Sequence, residues 1–339
     1  LKRLVCITGV SGSGKSTLVE NVLYNNYLRK AGETAADAGA CDRIEGLDQI
    51  GAIIHMGQEM PARSMRSNPA TYLKIYDEIR KLFAATADAR RLGIKPRDFS
   101  FNVAGGRCER CHGTGTVTVE MHFMADLEVR CEDCDGHRFQ SRIAGVRYQG
   151  KNVNEVLGLT IDEARSFFIR SKAIARRLEP LSAVGLGYLQ LGQVTSTLSG
   201  GEAQRLKLAR FLLADLEPPA VSRDGKALPR MFILDEPTTG LASADIKRLL
   251  RVLARLVADG NTLVVVEHNL ELIAHADHII DLGPGGGDEG GRLVVAGDPV
   301  AVAACGKSAT GCELRRLFGL PAEASPRAIK SAMRNAVQS

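Results

Sequence analysis

The fold is decided by the stretch Gly9-Val10-Ser11-Gly12-Ser13-Gly14-Lys15-Ser16, which follows the apolar run Leu4–Thr8 and precedes a segment with apolar residues at helical spacing. Between a strand and a helix, the pattern G-x-x-x-x-G-K-[ST] predicts a loop whose backbone N–H groups face phosphates. Lys15 is expected to reach the β- and γ-phosphates of a nucleotide, and Ser16 to hold Mg²⁺. The residues predicted to bind ATP and Mg²⁺ in this loop are Gly9, Ser11, Gly12, Gly14, Lys15, Ser16 and Thr17. The alternative is a glycine-rich turn that binds nothing.

An acidic pair ends a second apolar run, Met231–Leu234. Asp235 at the end of this predicted strand is expected to bind Mg²⁺, directly or through water. Glu236 beside it is expected to polarise the attacking water, which makes it a candidate catalytic residue. The alternative is that the pair belongs to an ordinary turn.

A third motif, Leu198-Ser199-Gly200-Gly201-Glu202, opens a predicted helix that runs to Leu213. Ser199 is placed to cap this helix. The free N–H groups of the first turn would then form a second site for an anion.

Four of the eight cysteines form two C-x-x-C pairs, Cys108/Cys111 and Cys131/Cys134, with nineteen residues between the pairs. This spacing predicts a structural zinc site, because four thiolates complete a tetrahedron and leave no position open for catalysis. The segments Thr116–His122 and Leu127–Arg130 alternate like two strands of a hairpin that brings the pairs together. The alternatives are a redox dithiol or unrelated free thiols. The remaining cysteines and the two nearby histidines are expected not to be ligands: Cys6, Cys41, Cys305, Cys312, His112 and His137.

The bulk composition excludes some classes of protein and permits others. The chain has 339 residues and a formal net charge of +5, which allows a polyanionic partner without requiring one. It has no signal-peptide pattern and no apolar run of about 18 residues, so neither secretion nor a membrane span is expected. Paired cysteines in a chain without a secretion signal favour metal over disulfides, and a cytoplasmic location.

Strands and helices alternate outside the cysteine region, which predicts an α/β fold with a mostly parallel sheet. The interruption in that pattern predicts an inserted helical lobe that carries the zinc module. The predicted parts are a core segment at 1–60, the inserted lobe at 61–195 with zinc at 105–140, a second core segment at 196–304, and a C-terminal tail at 305–339. A predicted strand begins almost at the first residue, which is expected of a fragment of a longer protein.

Taken together and in order, these motifs resemble an ABC-type P-loop ATPase, with Gln58 and Val266-Glu267-His268 supplying two further matches. The resemblance implies that two such domains assemble head to tail around ATP. Gln58 would sense Mg²⁺ and the water, and His268 would contact the γ-phosphate. The residues that would close over the nucleotide of the other domain are Ser199, Gly200, Gly201 and Glu202.

A zinc module inside an ABC ATPase, between Gln58 and the Ser199 motif, is similar to one family, UvrA, the damage-sensing subunit of the bacterial UvrABC excinuclease. The matching stretches cover about residues 1–320 and correspond to the second of that family's two ATPase halves: Arg66–Tyr72, Phe99–Asn102, Gly105–Cys108, Val119–Phe123, Ser199–Arg205, Asp235–Leu241 and Val266–Leu270. The resemblance implies an ATPase that recognises lesions in double-stranded DNA in nucleotide excision repair. Its partners would be a second ATPase half, in the missing N-terminal half or in a homodimer, and the excinuclease B subunit if that missing half is present.

Basic residues are concentrated before the zinc module, with nine basic and three acidic residues between Pro61 and Arg97. The residues predicted to contact the DNA backbone are Arg63, Arg66, Arg90, Arg91, Lys95 and Arg97. The alternative is a solvated helix face. The tail, with six basic and two acidic residues from Cys305 onward, is a weaker candidate.

The chain departs from the family's pattern at Ala242, where His is usual, at Glu59–Ala62, and in a longer connection at 215–230. Two other functions stay open. One is an ABC-type ATPase for transport or drug resistance. The other is a single-half paralogue that binds DNA without supporting incision.

Overall fold

The computed structural model describes residues 1–35, 37–57, 64–119, 121, 127–214, 219–222, 224–321 and 323–337, the last four by their backbone. The chain divides into two compact units. The first unit consists of Leu1–Glu59 and Ala214–Ser339, and the second of Met60–Leu213. The second unit is therefore inserted into the sequence of the first, as the interruption in the strand–helix pattern predicted.

The elements are numbered along the chain. The strands are β1 Leu4–Gly9, β2 Ala52–Met56, β3 Thr116–Val119, β4 Leu127–Arg130, β5 Arg147–Tyr148, β6 Lys151–Asn152, β7 Arg230–Asp235, β8 Thr262–Val266, β9 His278–Gly283 and β10 Arg292–Gly297. The α-helices are α1 Asn25–Lys30, α2 Pro69–Tyr72, α3 Ile75–Ala84, α4 Ala87–Arg91, α5 Ser141–Ala144, α6 Val153–Leu157, α7 Ile161–Phe167, α8 Lys172–Ala183, α9 Gly200–Leu213, α10 Ser243–Ala258, α11 Leu270–Ala274, α12 Pro299–Ala304, α13 Ala309–Leu317 and α14 Pro326–Val337. A helix of π type, Thr17–Tyr24, precedes α1. The short 3-10 helices are Leu47–Gln49, Pro96–Phe99, Thr195–Thr197 and Gly287–Glu289.

The first unit is built on a six-stranded sheet with the strand order β10-β9-β1-β8-β7-β2. β1 pairs in parallel with β8 and β9, and β7 pairs in parallel with β2 and β8. β10 is antiparallel to β9 and lies at one edge of the sheet. The α/β class and the mostly parallel sheet are therefore confirmed.

The core of the first unit explains why its central strands are continuously apolar. β8 is buried at every residue, and β7 at all but its terminal Asp235. Such strands are covered on both faces, which is the usual state of a parallel sheet. The core includes Ile7 of β1, Val19 of the π-type helix and Ile233 of β7. Because the carboxyl ends of β1, β8 and β7 lie at one edge, the loops that follow them converge there.

The second unit is mainly helical, with a core rich in buried phenylalanines such as Phe83, Phe99 and Phe168. The buried hydroxyl of Tyr76 donates to the carbonyl of Phe99 at 2.6 Å. β3 and β4 form an antiparallel pair, as the alternation at Thr116–His122 and Leu127–Arg130 predicted. Residues 120 and 122–126 of that hairpin lie outside the described part of the chain.

Two observations differ from the predicted organisation. The second core segment was expected from residue 196, but α9, which carries the Ser199 motif, lies in the second unit, where it packs on α8. Residues 305–339 were predicted as a separate C-terminal tail, but α13 packs against β1 and α11 of the first unit. Arg315 of α13 is buried and donates to the carbonyl of Ala303, so it is not exposed for DNA.

Among the helices of the described residues, none has the length and apolarity needed to cross a membrane.

Candidate functional site

The glycine-rich loop after β1 has a backbone that side chains would not permit. Gly9 has a φ of 136°, and a Cβ there would lie 2.0 Å from the carbonyl oxygen of Leu282 in β9. Gly12 and Gly14 have φ values of 74° and 90°, in the left-handed region that favours glycine. The loop therefore curls at the end of the central strand β1, which leaves backbone N–H groups for an anion.

Lys15 is buried at the base of this loop. Its Nζ donates to the carbonyls of Gly9 at 3.1 Å and Val10 at 2.9 Å. Burial lowers the pKa of Lys15, and the negative charges of Glu236, Asp235 and Asp281 act against that shift. The Lys15 ammonium is thus held inside the loop by hydrogen bonds to neutral carbonyl oxygens. Charged phosphate oxygens are stronger acceptors and would replace these carbonyls. Ser11, Ser16 and Thr17, which were predicted to bind ATP or Mg²⁺, are exposed around it.

The acidic pair lies at the same edge of the sheet as the phosphate loop. Asp235 ends β7 opposite Val266 of β8, and the N–H of Glu236 donates to the Val266 carbonyl at 2.9 Å. Glu236 has a φ of 45°, which is rare for an L-residue and typical of a constrained functional position. Its Oε1 lies 3.7 Å from Nε2 of His268. The structure therefore brings the predicted water-polarising residue next to the predicted phosphate contact.

A second glycine-rich segment, Gly283–Gly291, lies against the phosphate loop. The N–H of Gly287 donates to the carbonyl of Gly12, and the N–H of Gly291 to that of Ser13, each at 3.1 Å. A Cβ on Gly286 would lie 2.6 Å from the carbonyl oxygen of Ser11. This brace was missed from the sequence, although its six glycines in nine residues are a signal that could have found it.

Two buried carboxylates near the loop were also not assigned a role from the sequence. Asp281 of β9 accepts hydrogen bonds from three hydroxyls, Thr8 at 2.7 Å, Ser308 at 2.7 Å and Thr310 at 2.8 Å. It therefore joins the strand before the phosphate loop to the segment that begins α13. The other carboxylate is Glu267, which bridges the turn after Glu236 and the start of α11.

The motif at the start of α9 forms its own hydrogen-bonded cap in the second unit. Glu202 accepts from the Ser199 N–H at 2.8 Å and hydroxyl at 2.9 Å, and from the Tyr188 hydroxyl at 2.7 Å. Burial alone would raise the pKa of Glu202, but these hydrogen bonds outweigh it and lower the pKa. Gly200 and Gly201 form the first turn of α9, where unpaired N–H groups favour an anion.

The four predicted zinc ligands meet in one buried cluster of the second unit. The Sγ atoms of Cys108, Cys111, Cys131 and Cys134 all lie within 4.8 Å of one another. The Cys108–Cys131 and Cys111–Cys134 sulfur distances are 3.8 Å and 3.6 Å. Thiolates about 2.3 Å from a tetrahedral zinc are about 3.8 Å apart, so the cluster has the dimensions of a zinc site. His112 and His137 are exposed, and neither belongs to the cluster.

The thiols differ in how readily they lose a proton. Burial raises the pKa of Cys134 to about 12 and also raises the pKa of Cys108. Burial would likewise raise the pKa of Cys111, but N–H donors, including that of Gly115 at 3.3 Å, lower it overall. A soft cation that displaces the protons would stabilise the cluster, which is the behaviour of zinc.

The residues predicted to contact DNA are exposed wherever the structure describes them: Arg66, Arg90, Arg91, Lys95 and Arg97. Arg90 and Arg91 end α4, and Lys95 and Arg97 follow within eight residues of chain. Arg91 forms an exposed ion pair with Asp88 at 3.1 Å. Arg63 and Gln58 lie outside the described residues.

Known proteins resemble most of this chain. A family model described as ABC transporter matches residues 2–239. UvrABC system protein A of Aquifex aeolicus is 51% identical over 312 residues, which are 92% of this chain and 33% of that protein. The same protein of Methanothermobacter thermautotrophicus is 50% identical over 313 residues, 92% of this chain and 31% of that protein. The chain thus spans about a third of the length of these curated relatives.

A solved structure agrees with the sequence matches. The crystal structure of UvrA2 from Deinococcus radiodurans superposes with a TM-score of 0.78 and 44% identity, covering 96% of this chain and 37% of that one. The family model covers more than half of the chain. The chain therefore belongs to the ABC transporter family as an ABC-type ATPase domain, and its sequence matches an ATPase half of UvrABC system protein A.

Proposed function

We propose that the chain is an ATP-binding and ATP-hydrolysing part of a UvrA-like protein that recognises lesions in double-stranded DNA for nucleotide excision repair. The observation that carries the proposal is that one chain contains both the phosphate loop with its acidic pair and a four-cysteine cluster of zinc dimensions. Relatives named UvrABC system protein A match over 92% of the chain.

In the proposed nucleotide site, the loop N–H groups and Lys15 bind the phosphates. Ser16 and Asp235 are the residues to hold Mg²⁺, which neutralises charge on the β- and γ-phosphates. Glu236 polarises the attacking water. Its Oε1 lies 3.7 Å from Nε2 of His268, so the residue that activates the water is next to the residue that contacts the γ-phosphate. Gln58 remains a predicted Mg²⁺ and water sensor.

The second unit is proposed to complete the site of another ATPase half. Ser199, Gly200, Gly201 and Glu202 present an anion site at the start of α9, fourteen residues long, whose N-terminus favours negative charge. A nucleotide on the other half would occupy it. The partner is either an N-terminal half of a longer chain or a second copy, and the excinuclease B subunit joins where the N-terminal half is present.

Zinc is proposed to be structural, and the basic residues before it to bind DNA. Four cysteines fill the coordination of zinc, so the metal holds the β3–β4 pair and the two cysteine turns together. Arg66, Arg90, Arg91, Lys95 and Arg97 are exposed, as phosphate contacts require. We place Arg63 in the same set from the sequence. The cellular site of this chemistry is proposed to be the cytoplasm.

The experiment that tests the proposal is an ATPase assay with and without duplex DNA, on lesion-containing and intact duplexes. Glu236→Gln is the control that removes turnover while preserving ATP binding. Stimulation or modulation by DNA, strongest with a lesion, is the expected result. ATP hydrolysis indifferent to DNA would favour a transport or resistance ATPase, and DNA binding without turnover a non-incising paralogue.

A further inference from the structure

Glu267 is a buried carboxylate that connects three segments of the nucleotide site, all within the first unit. It follows β8, and 2% of its surface is exposed. Its backbone N–H donates to the carbonyl of Ile7 at 3.2 Å, so its backbone is attached to the strand that leads into the phosphate loop. The side chain extends from this anchor to two further segments.

One carboxylate oxygen of Glu267 holds the turn after the acidic pair. Its Oε1 accepts from the N–H of Thr238 at 2.9 Å and from the Thr238 hydroxyl at 2.5 Å. Thr238 lies two residues after Glu236, and the N–H of Thr239 donates to the Glu236 carbonyl at 3.2 Å. This oxygen therefore fixes the tight turn from which the Glu236 side chain projects.

The other oxygen holds the segment that carries His268. Its Oε2 accepts from the N–H groups of His268 at 2.7 Å and Asn269 at 2.8 Å. The Asn269 side chain in turn caps α11 by accepting from the N–H of Leu272 at 3.1 Å. Burying a carboxylate is unfavourable unless its oxygens accept hydrogen bonds, and four donors satisfy this one.

We propose that Glu267 is a positioning residue that fixes the His268 imidazole relative to the Glu236 carboxylate, and through them the response of the site to the γ-phosphate. Oε1 of the Glu267 carboxylate holds the backbone that follows Glu236, and Oε2 holds the backbone at His268. Both contacts belong to one planar carboxylate, so the two segments are fixed relative to each other. The proposal rests on the proposed function, in which His268 contacts the γ-phosphate. ADP has no γ-phosphate, so its binding should not depend on this coupling.

The test compares the affinities of the full chain for ATPγS and for ADP, with the ATPase rate as a second measurement. Glu267→Gln keeps the size of the side chain but turns an NH₂ group toward N–H donors on one side. We expect ATPγS affinity to fall about tenfold, with ADP affinity within about twofold of the unsubstituted chain. Thr238→Val removes one donor and should cause a smaller loss in the same direction. Glu323→Gln, an exposed glutamate, is the matched control.

A double substitution separates positioning from general support of the fold. If Glu267 acts through His268, Glu267→Gln should have little further effect on ATPγS affinity in a His268→Ala background. Equal losses for ATPγS and ADP, unchanged binding, or a full effect in that background would overturn the inference. If Glu267→Gln does not fold, the same comparison is made with Thr238→Val, in the unsubstituted chain and in the His268→Ala chain. An unsubstituted chain that binds neither nucleotide would instead refute the proposed function.

Discussion

Glu236 shows how the fold sets the direction of one catalytic side chain. A φ of 45° costs an L-residue on the order of 1–3 kcal/mol, and it persists only where neighbouring contacts impose it. The Glu236 N–H is bound to Val266, and Thr238 of the same turn is bound to Glu267. The backbone conformation therefore sets the direction of the Glu236 Cα–Cβ bond, and the side-chain rotamer determines only the rest of the carboxylate's position.

Substitution of Glu236 by Gln should separate ATP binding from hydrolysis. The amide keeps the size of the side chain and cannot accept the proton of the attacking water, so we expect the turnover rate to fall by about 10²- to 10³-fold. Binding of ATPγS, measured by fluorescence titration, should persist. A substituted chain that hydrolyses ATP at the original rate would show that Glu236 is not the water-polarising residue.

At the scale of elements, the Gly283–Gly291 brace and the phosphate loop form one structure. Two backbone hydrogen bonds join them, and at Gly286 the approach to the Ser11 carbonyl oxygen leaves no space for a Cβ. Any change in the brace is transmitted to the loop through backbone atoms, which cannot rotate away as a flexible side chain can.

Gly286→Ala should therefore weaken both the fold of the first unit and its nucleotide site. The added Cβ would lie 2.6 Å from the Ser11 carbonyl oxygen, and relieving such overpacking costs about 1–3 kcal/mol. Urea unfolding should show this loss, and ATPγS affinity should fall in parallel. Gly306→Ala, where a Cβ meets nothing within 4 Å, is the matched control. Equal stability and equal ATPγS affinity of the two variants would show that Gly283–Gly291 does not support the phosphate loop.

The cysteine cluster is the other element whose removal has a defined result. Cys108→Ser should abolish tight zinc binding and loosen the β3–β4 pair, because structural zinc supplies on the order of 10 kcal/mol to small domains. Metal analysis and limited proteolysis would measure the two effects, with Cys41→Ser as control, since Cys41 is exposed and outside the cluster. Retention of one zinc per chain by the Cys108 variant would rule out the four-thiolate site.

The pH dependence of zinc binding follows from the thiol pKa values. In the metal-free protein the pKa of Cys134 is about 12, so zinc must displace its proton at neutral pH. Binding therefore releases protons, and apparent affinity should rise with pH and fall on acidification. A competition titration with a chelator at several pH values would measure the slope. An affinity independent of pH would contradict thiolate coordination.

At the scale of the whole molecule, the proposed DNA-binding residues can be tested by the salt dependence of binding. Replacing Arg66, Arg90, Arg91, Lys95 and Arg97 by Gln should reduce the slope of log affinity against log salt by about 0.9 for each phosphate that is no longer neutralised. A charge-matched control replaces five exposed basic residues of the first unit: Lys226, Lys247, Arg248, Arg251 and Arg255. If both variants show the same decrease in DNA affinity and in salt slope, the decrease is caused by the change in net charge. The five predicted residues would then not be the DNA contacts.

Much of this fold was predictable because its signals are local. Continuous apolarity marked β7, and glycines at fixed spacing marked the phosphate loop. The cysteine pairs were readable because a metal site requires a narrow range of spacings. In each case the residues that define the feature are close in sequence or chemically distinctive.

What escaped prediction depends on contacts between distant parts of the chain. Asp281 bonds to a hydroxyl 273 positions away, and Glu267 to one 29 positions away. A carboxylate after an apolar strand has the same local pattern whether it faces solvent or holds two loops. The location of α9 in the second unit was missed for a similar reason. Its motif indicates nucleotide binding, which suggested the first unit, but the helix packs on α8 of the second unit.

The insertion of one unit into the other has a consequence for biosynthesis. β1 is flanked by β8 and β9, so its partners are made some 260 residues after it. The second unit, by contrast, is continuous in sequence and is complete at Leu213. We expect it to acquire structure and metal while the chain is still on the ribosome, since domains fold as units as they emerge. β1 meanwhile waits unpaired for its neighbours. The first unit would then become able to bind nucleotide only after the second unit has folded.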